Sequence, residues 1–389
     1  MNLNKNIIAF TGGGTGGHIY PGLAVADELK QLAAKNGKSI QIEWIGCSKG
    51  MDKKIVESSL DGNGNLIADK FYGIPSGKLR RYFSMKNFSD IFRILGGFIK
   101  AFHILRKVKP AVLFSKGGFV SVPPVFAARL LKIPVYTHEC DFTLGLANRL
   151  NFKSAKTMFV SYEETKNRLG SADANRVVVT GNPVRPVFYS TNPENGKKFI
   201  SLDEDNKKPV LLILGGSSGA KQINELVEKN LRWLCDRFVV VHQTGLVNSN
   251  QNQENKLKEM YSEDYRPFAF IYKEMPDVLS CADVILSRAG ANSIWEAAVL
   301  NKPMVLIPLC GSGTRGDQVD NAKFFEDKGA AKVLLGDDVT SENLQKSLES
   351  LLEPAVRSEM AEKIKIMVGD RKSSSVIADY IYKEIDGDI

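Results

Sequence analysis

Residues Asn6 to Pro21 read NIIAFTGGGTGGHIYP. An apolar run (Ile7, Ile8, Ala9, Phe10) meets five glycines within six positions, then His18, and the amphipathic segment Leu23, Ala24, Ala26, Leu29 follows. This is the order of a strand, a tight turn and a helix start. Glycines there let a ligand or a neighbouring segment approach the backbone, and a helix N-terminus favours an anion. The same spacing also suits a plain strand-to-helix turn. Gly12, Gly14 and Gly17 satisfy G-x-G-x-x-G, which in a dinucleotide site is completed by an acid at the end of the second strand. The second strand is expected at Ser39 to Ile45 and runs out in Gly46-Cys47-Ser48, without that acid. A nicotinamide or flavin site is therefore disfavoured.

Outward from this stretch, strand-like runs alternate with helical patterns, the signature of a parallel sheet covered on both faces. Strands are expected at Ile40–Ile45, Ala111–Ser115, Val135–Thr137, Thr157–Val160 and Val177–Thr180. The proline-rich GNPVRP from Gly181 and the polar stretch Asn192–Lys208 read as a linker and an entry loop. The pattern then restarts with Val210–Leu214, a second glycine turn (GGSSGA, Gly215 to Ala220) and a helix. Further strands are expected at Phe238–Gln243, Phe268–Ile271, Val284–Ser287, Met304–Pro308 and Ala331–Leu335. The fold class is thus α/β, with two Rossmann-like doubly wound parallel-sheet domains, 1–187 and 188–373, facing a cleft. A C-terminal helix, about 374–389, is expected to pack back on the first domain.

A chain of 389 residues suits two or three domains, and 43% hydrophobic with 25% charged residues is ordinary for a soluble enzyme. No leader pattern opens the chain, and no run of about 18 apolar residues occurs, so a cytosolic, non-spanning protein is expected. The five cysteines lack C-x-x-C spacing, which indicates neither disulfides nor zinc. A net charge of +8 suits an anionic partner: a nucleotide, a membrane surface or, last, a nucleic acid, for which no helix-turn-helix, zinc or RNP-like pattern appears.

A third glycine turn, Ser115-Lys116-Gly117-Gly118-Phe119-Val120-Ser121, also follows a strand. At this point TGGGTGGHIYPGLAVA (Thr11 to Ala26), SKGGFVSVPPVFAA (Ser115 to Ala128), HECDFTLGLANR (His138 to Arg149), GNPVR (Gly181 to Arg185), GGSSGA and SRAGANSIWEA (Ser287 to Ala297) resemble the MurG family of bacterial N-acetylglucosaminyltransferases, in order and with similar spacing from about Ile7 to Ala330. The resemblance implies the GT-B architecture. It implies transfer of N-acetylglucosamine from UDP-N-acetylglucosamine to the 4-hydroxyl of undecaprenyl-diphospho-N-acetylmuramoyl-pentapeptide, with inversion, in peptidoglycan synthesis.

Such a transfer needs a base for the acceptor hydroxyl, and His18 fits that role; packing or capping at the helix start is the alternative. The resemblance further implies ligand contacts at Thr15, Gly16 and Gly17, and donor contacts at Arg185, Ser217, Tyr272, the run Ala291-Asn292-Ser293-Ile294-Trp295-Glu296, and Gln318. Glu296 matches the family's ribose acid, and Gln318 an amide that reads the donor sugar. An ion pair between the domains explains Arg185 as readily. His138, Glu139, Asp141 and Asn148 are candidate acceptor or donor contacts; Asp141 stands where many members carry Asn, and Asn148 is the substitute amide. The Asp-x-Asp patterns Asp203-Glu204-Asp205 and Asp386-Gly387-Asp388 do not follow strands. Backbone donors and helix N-termini are therefore expected to stabilise the leaving diphosphate, with no metal and no cofactor.

The implied acceptor is a lipid, which gives a basic and aromatic stretch a purpose. Leu79, Arg80, Arg81, Tyr82, Phe83 and Phe88 are read as a patch for an anionic membrane surface, while Ile94–Phe102 is read as core. The expected place is the cytoplasmic face of the cell membrane, held peripherally, with other cell-wall synthesis proteins as possible partners.

Overall fold

The computed structural model describes residues 3–77, 85–216, 219–247, 251–261, 263–311 and 314–386, with backbone alone at 85–89 and 251–254. The chain divides into two compact units: Met1–Arg185 with Arg371–Ile389, and Pro186–Asp370.

The first unit is built on seven strands: β1 (Asn4–Thr11), β2 (Gln41–Cys47), β3 (Lys70–Ile74), β4 (Pro110–Ser115), β5 (Val135–Glu139), β6 (Thr157–Val160) and β7 (Val177–Val179). All pair in parallel, in the order β3-β2-β1-β4-β5-β6-β7. Alternation with period two puts Ile8 and Phe10 on one face and Ala9 on the other, and both faces are buried. Phe10 stacks on Trp44 at 5.8 Å and tilts against Phe114 at 5.3 Å. The same face receives helix Tyr20–Lys35 and the C-terminal helix Ser373–Asp386, whose Ile377, Ala378, Ile381 and Ile385 join the core. Glu384 ties that helix down, accepting from Tyr136 Oη at 2.8 Å and pairing with Lys156 at 2.6 Å. Edge strand β3 was not foreseen: Lys-Phe-Tyr-Gly-Ile is short and carries a glycine, so its own pattern is weak.

The second unit repeats the plan with β8 (Val210–Leu214), β9 (Val239–Gln243), β10 (Tyr265–Phe268), β11 (Val284–Ser287), β12 (Met304–Leu306) and β13 (Lys332–Val333), in the order β10-β9-β8-β11-β12-β13. Strand β10 lies three residues earlier than expected. It contains Pro267, which an edge strand tolerates because one side of its ladder is unpaired. The expected entry loop after Asn192 instead holds helix Pro193–Phe199, capped by Asn192 Oδ1 accepting from Glu194 N at 3.0 Å. The Asn-Pro-Glu start was its signal.

Candidate active site

In each unit the strand order reverses beside the first strand, between β1 and β4 and between β8 and β11. Ligands of doubly wound sheets bind outside the carboxyl ends of strands at that point. The three glycine turns lie there.

In the first unit the turns after β1 and β4 interlock. Gly14 has a φ of 83°, which favours glycine, and a Cβ on it would lie 2.5 Å from Phe119. His18 closes the short 3-10 turn Gly16–His18; its ring lies so near Gly118 that a Cβ there would be 2.9 Å from His18 Cδ2. Thr15 is exposed, and Gly16, Gly17 and His18 are half-buried. The Arg185 guanidinium lies over the Tyr20 ring at 4.9 Å, and that ring would meet a Cβ on Gly16 at 3.1 Å. Arg185 is thus brought to the first turn by its own unit. Asp52 is fully buried and accepts from the amides of Gly14 and Cys47.

The loop after β5 is a staple. Glu139 accepts from Asp141 N (3.1 Å), Gly145 N (2.9 Å) and Asn148 Nδ2 (3.1 Å). Asn148 also donates to His138 O at 2.9 Å and accepts from Thr137 Oγ1 at 2.9 Å. The expectation that Asn148 supplies a ligand amide is therefore corrected: it is buried with both ends engaged in the loop. His138 is buried and donates from Nε2 to Gly181 O at 3.0 Å; burial, with the Lys116 charge nearby, holds it neutral well below the ordinary histidine range. It reads as a neutral strut. Asp141 is half-buried. Glu139, Cys140 and Asp141 bring ligand atoms within 4.8 Å of one another. Burial pushes the Cys140 thiol up to about 12, and Glu139 is occupied by N–H donors, so this set does not suit a metal ion.

In the second unit Gly215 packs against Ala220 N, where a Cβ would come to 2.6 Å, but four other glycines are open. A Cβ on Gly216, Gly290, Gly311 or Gly316 would meet nothing within 4 Å. Helix Ala291–Ala298 starts at Gly290, and its first turn offers the backbone of Ala291, Asn292 and Ser293. Ile294 and Trp295 are corrected to core residues: both are buried, Ile294 N donates to Gly290 O at 3.1 Å, and Trp295 meets Phe325 edge-on at 6.0 Å. Glu296 is half-buried in the second turn of the same helix. Gln318 Oε1 accepts from Leu309 N at 2.9 Å, which leaves its amino group as the end available to a ligand. Tyr272 is exposed, with its ring 4.6 Å from Phe270. Beside it Ile271 N is already held by Gln243 Oε1 at 2.9 Å, so a base contact through that amide is closed. Ser217 lies outside the described residues, as do Leu79, Arg80, Arg81, Tyr82 and Phe83; Phe88 is described by backbone alone.

Three residues were missed. Arg288, the first residue after β11, donates to Ile307 O at 2.9 Å and Gln222 Oε1 at 3.0 Å, clamping the loop that leads to Gln318. Its signal was a cation immediately after a strand at the order reversal. Lys116 is 1% exposed at the matching place after β4. Asp52 had no local signal, because its role depends on which way a helix start folds back.

Two parallel α/β sheets of one topology, with glycine turns at both order reversals, make the GT-B architecture. Residues 8–160 match the glycosyltransferase family 28 N-terminal domain, and residues 210–377 its C-terminal domain. The chain is 49% identical over 385 residues to the UDP-N-acetylglucosamine–N-acetylmuramyl-(pentapeptide) pyrophosphoryl-undecaprenol N-acetylglucosamine transferase of Treponema denticola, covering 96% of each chain. It is 42% identical to an enzyme of that name from Bacillus cereus, over 88% of this chain and 91% of that one. MurG of Acinetobacter baumannii superposes with a TM-score of 0.71 at 27% identity, over 97% of this chain and 99% of that one. The UDP-GlcNAc 2-epimerase of Neisseria meningitidis, solved bound to UDP-GlcNAc, shares the fold at 18% identity, with a TM-score of 0.68 over 97% of this chain and 100% of that one. The chain belongs to the MurG family of UDP-N-acetylglucosamine-dependent transferases within glycosyltransferase family 28.

Proposed function

We propose that the chain moves N-acetylglucosamine from UDP-N-acetylglucosamine to the 4-hydroxyl of the muramoyl sugar in undecaprenyl-diphospho-N-acetylmuramoyl-pentapeptide, with inversion at the anomeric carbon. The observation that carries this reading is the open backbone of the second unit, where Gly216, Gly290, Gly311 and Gly316 leave room beside a helix start and the Gln318 amino group. The second unit, 188–373 in the sequence reading, is the donor side. Ala291, Asn292 and Ser293 give backbone N–H groups to the diphosphate, Ser217 assists, Glu296 accepts the ribose hydroxyls, and Tyr272 flanks the base. Arg288 adds positive charge.

The first unit is the acceptor side. His18 takes the proton of the attacking hydroxyl as the bond to UDP breaks, Thr15, Gly16 and Gly17 frame that hydroxyl, and Arg185 is kept as a donor contact. The membrane contact extends the basic stretch from Leu79 to Phe88. On helix Met85–Val108, Ile91 (54% exposed), Phe92 (61%), Leu95 (54%) and Ile99 (49%) form an apolar stripe, two of them inside the span read from sequence as core. Because the acceptor in this reading is a polyprenyl lipid, the stripe is read as lying on the cytoplasmic face of the bilayer; among the described residues no helix is long and apolar enough to cross a membrane.

UDP release by the purified chain, measured with vesicles carrying the polyprenyl-diphosphate acceptor or a diacylglycerol, tests the reading. Release with the first alone is expected. Release with diacylglycerol alone would reassign the acceptor, and donor binding without release would make the chain a sensor rather than an enzyme. Exchange of Leu95 and Ile99 for Ser is expected to release the protein from anionic vesicles, and unchanged binding would discard the stripe.

A further inference from the structure

Strand β2 ends at Cys47, and helix Asp52–Ser58 begins five residues later with a residue that turns back under the first glycine turn. The Asp52 carboxylate accepts from Gly14 N at 2.9 Å (Oδ1) and 3.1 Å (Oδ2), and from Cys47 N at 2.8 Å (Oδ2). It is fully buried. Gly13 is pressed so close that a Cβ on it would lie 1.8 Å from Oδ2. The acid absent from the end of β2 is therefore supplied from the next helix, aimed at the turn's backbone instead of a ribose. A phosphate oxygen in an open glycine turn would take this same amide. Here a carboxylate of the chain itself holds it, and its negative charge repels a second anion. Burial raises the Asp52 carboxyl above its ordinary value, while the amides of Cys47 and Gly14 pull the other way. On its far side Gly14 is backed by the Phe119 ring, and the His18 ring rests on Gly118, so the turn is clamped from both sides.

We propose that Asp52 is a positioning residue for the transfer: a built-in anion that fills the amide site of the first glycine turn, so that Thr15 to His18 face a neutral sugar hydroxyl and phosphate is kept out of that turn. The positioning half of this inference rests on the His18 reading above; the anion site itself does not. Phosphate groups of both substrates then bind elsewhere, and the turn serves the uncharged nucleophile.

The test uses the full chain with Asp52→Asn and Asp52→Gly. Each is expected to lower kcat, referred to the folded fraction read by circular dichroism, at least tenfold while KM for UDP-N-acetylglucosamine stays within twofold. Formate, added to refill the hole in D52G, is expected to restore at least fivefold of kcat and to have no effect on the wild type. Inorganic phosphate is expected to inhibit D52G, competing with formate, and to leave the wild type unaffected. Without any turnover, formate and phosphate should raise the unfolding temperature of D52G but not of the wild type, which reads the anion site separately. If D52G does not fold, D52N carries the test, since it keeps the volume and loses the charge. Wild-type kcat in folded D52N overturns the inference, as does a loss in folded D52G that formate does not reverse. A wild-type chain that binds the donor but turns over no polyprenyl-diphosphate acceptor refutes the proposed function instead.

Discussion

The two units share one strand order, and each opens its first turn with a packed glycine, Gly12 and Gly215, yet the glycines that follow are set differently. In the first unit a Cβ on Gly12, Gly13, Gly14 or Gly118 would run into His18 O, Asp52, Phe119 or the His18 ring at 2.4, 1.8, 2.5 and 2.9 Å respectively. Those glycines let the chain pack against itself. In the second unit Gly216, Gly290, Gly311 and Gly316 face open space. A glycine-rich turn after a parallel strand is therefore one motif with two physical uses, and what fills the space beside it separates them.

The largest expected break in this comparison is kinetic. His18→Ala is expected to lower turnover roughly 10²–10⁴-fold while donor affinity, proposed above for the other unit, stays unchanged; equal turnover would return His18 to a packing role. Next comes acid. Each unit buries a neutral histidine: His138, held well below its ordinary value, and His242, depressed by burial to about 3 and set between Tyr265 Oη at 3.1 Å and Asn224 Oδ1 at 3.2 Å. A histidine whose folded value is depressed contributes its full stability above the unfolded value near 6.5 and loses it as pH falls towards the folded value. Between pH 7 and about 4.5, His242 is expected to cost the second unit about 2–3 kcal/mol, read from urea midpoints, and His242→Gln should flatten that slope.

Glu296→Ala is expected to weaken UDP-N-acetylglucosamine about 10–100-fold by calorimetry without moving the stability of the first unit, and unaltered affinity would remove it from the ribose site. The smallest effects sharpen the comparison most directly. Gly13→Ala, forced against Asp52, is expected to lose about 1–3 kcal/mol of stability. Gly290→Ala, at a φ of −71° and with free space around it, is expected to stay within about 1 kcal/mol in thermal unfolding while raising donor KM. Equal destabilisation by both would erase the distinction between packed and open turns.

Much of this was legible in the chain. Buried parallel strands such as Val-Leu-Leu-Ile-Leu (Val210–Leu214) advertise themselves by continuous apolar runs, and the glycine turns mark their carboxyl ends. Edge strands β3 and β10 were missed or displaced, because an edge has one wet side and accepts glycine, proline and charge. The helix start at Ala291 was readable from pattern, whereas the burial of Ile294 and Trp295 followed only once the helix had a definite inner face. Asn148 looked like a ligand amide and is a loop staple.

The opening stretch NIIAFTGGGTGGHIYP thus determined by itself a strand, a turn and a helix start, and with its companions the family, because these follow from local conformation and short-range periodicity. Which of its glycines are pressed against the protein was decided only by the tertiary structure. Asp52 is 38 residues from Gly14, and nothing nearer in the chain carries the charge that fills that turn.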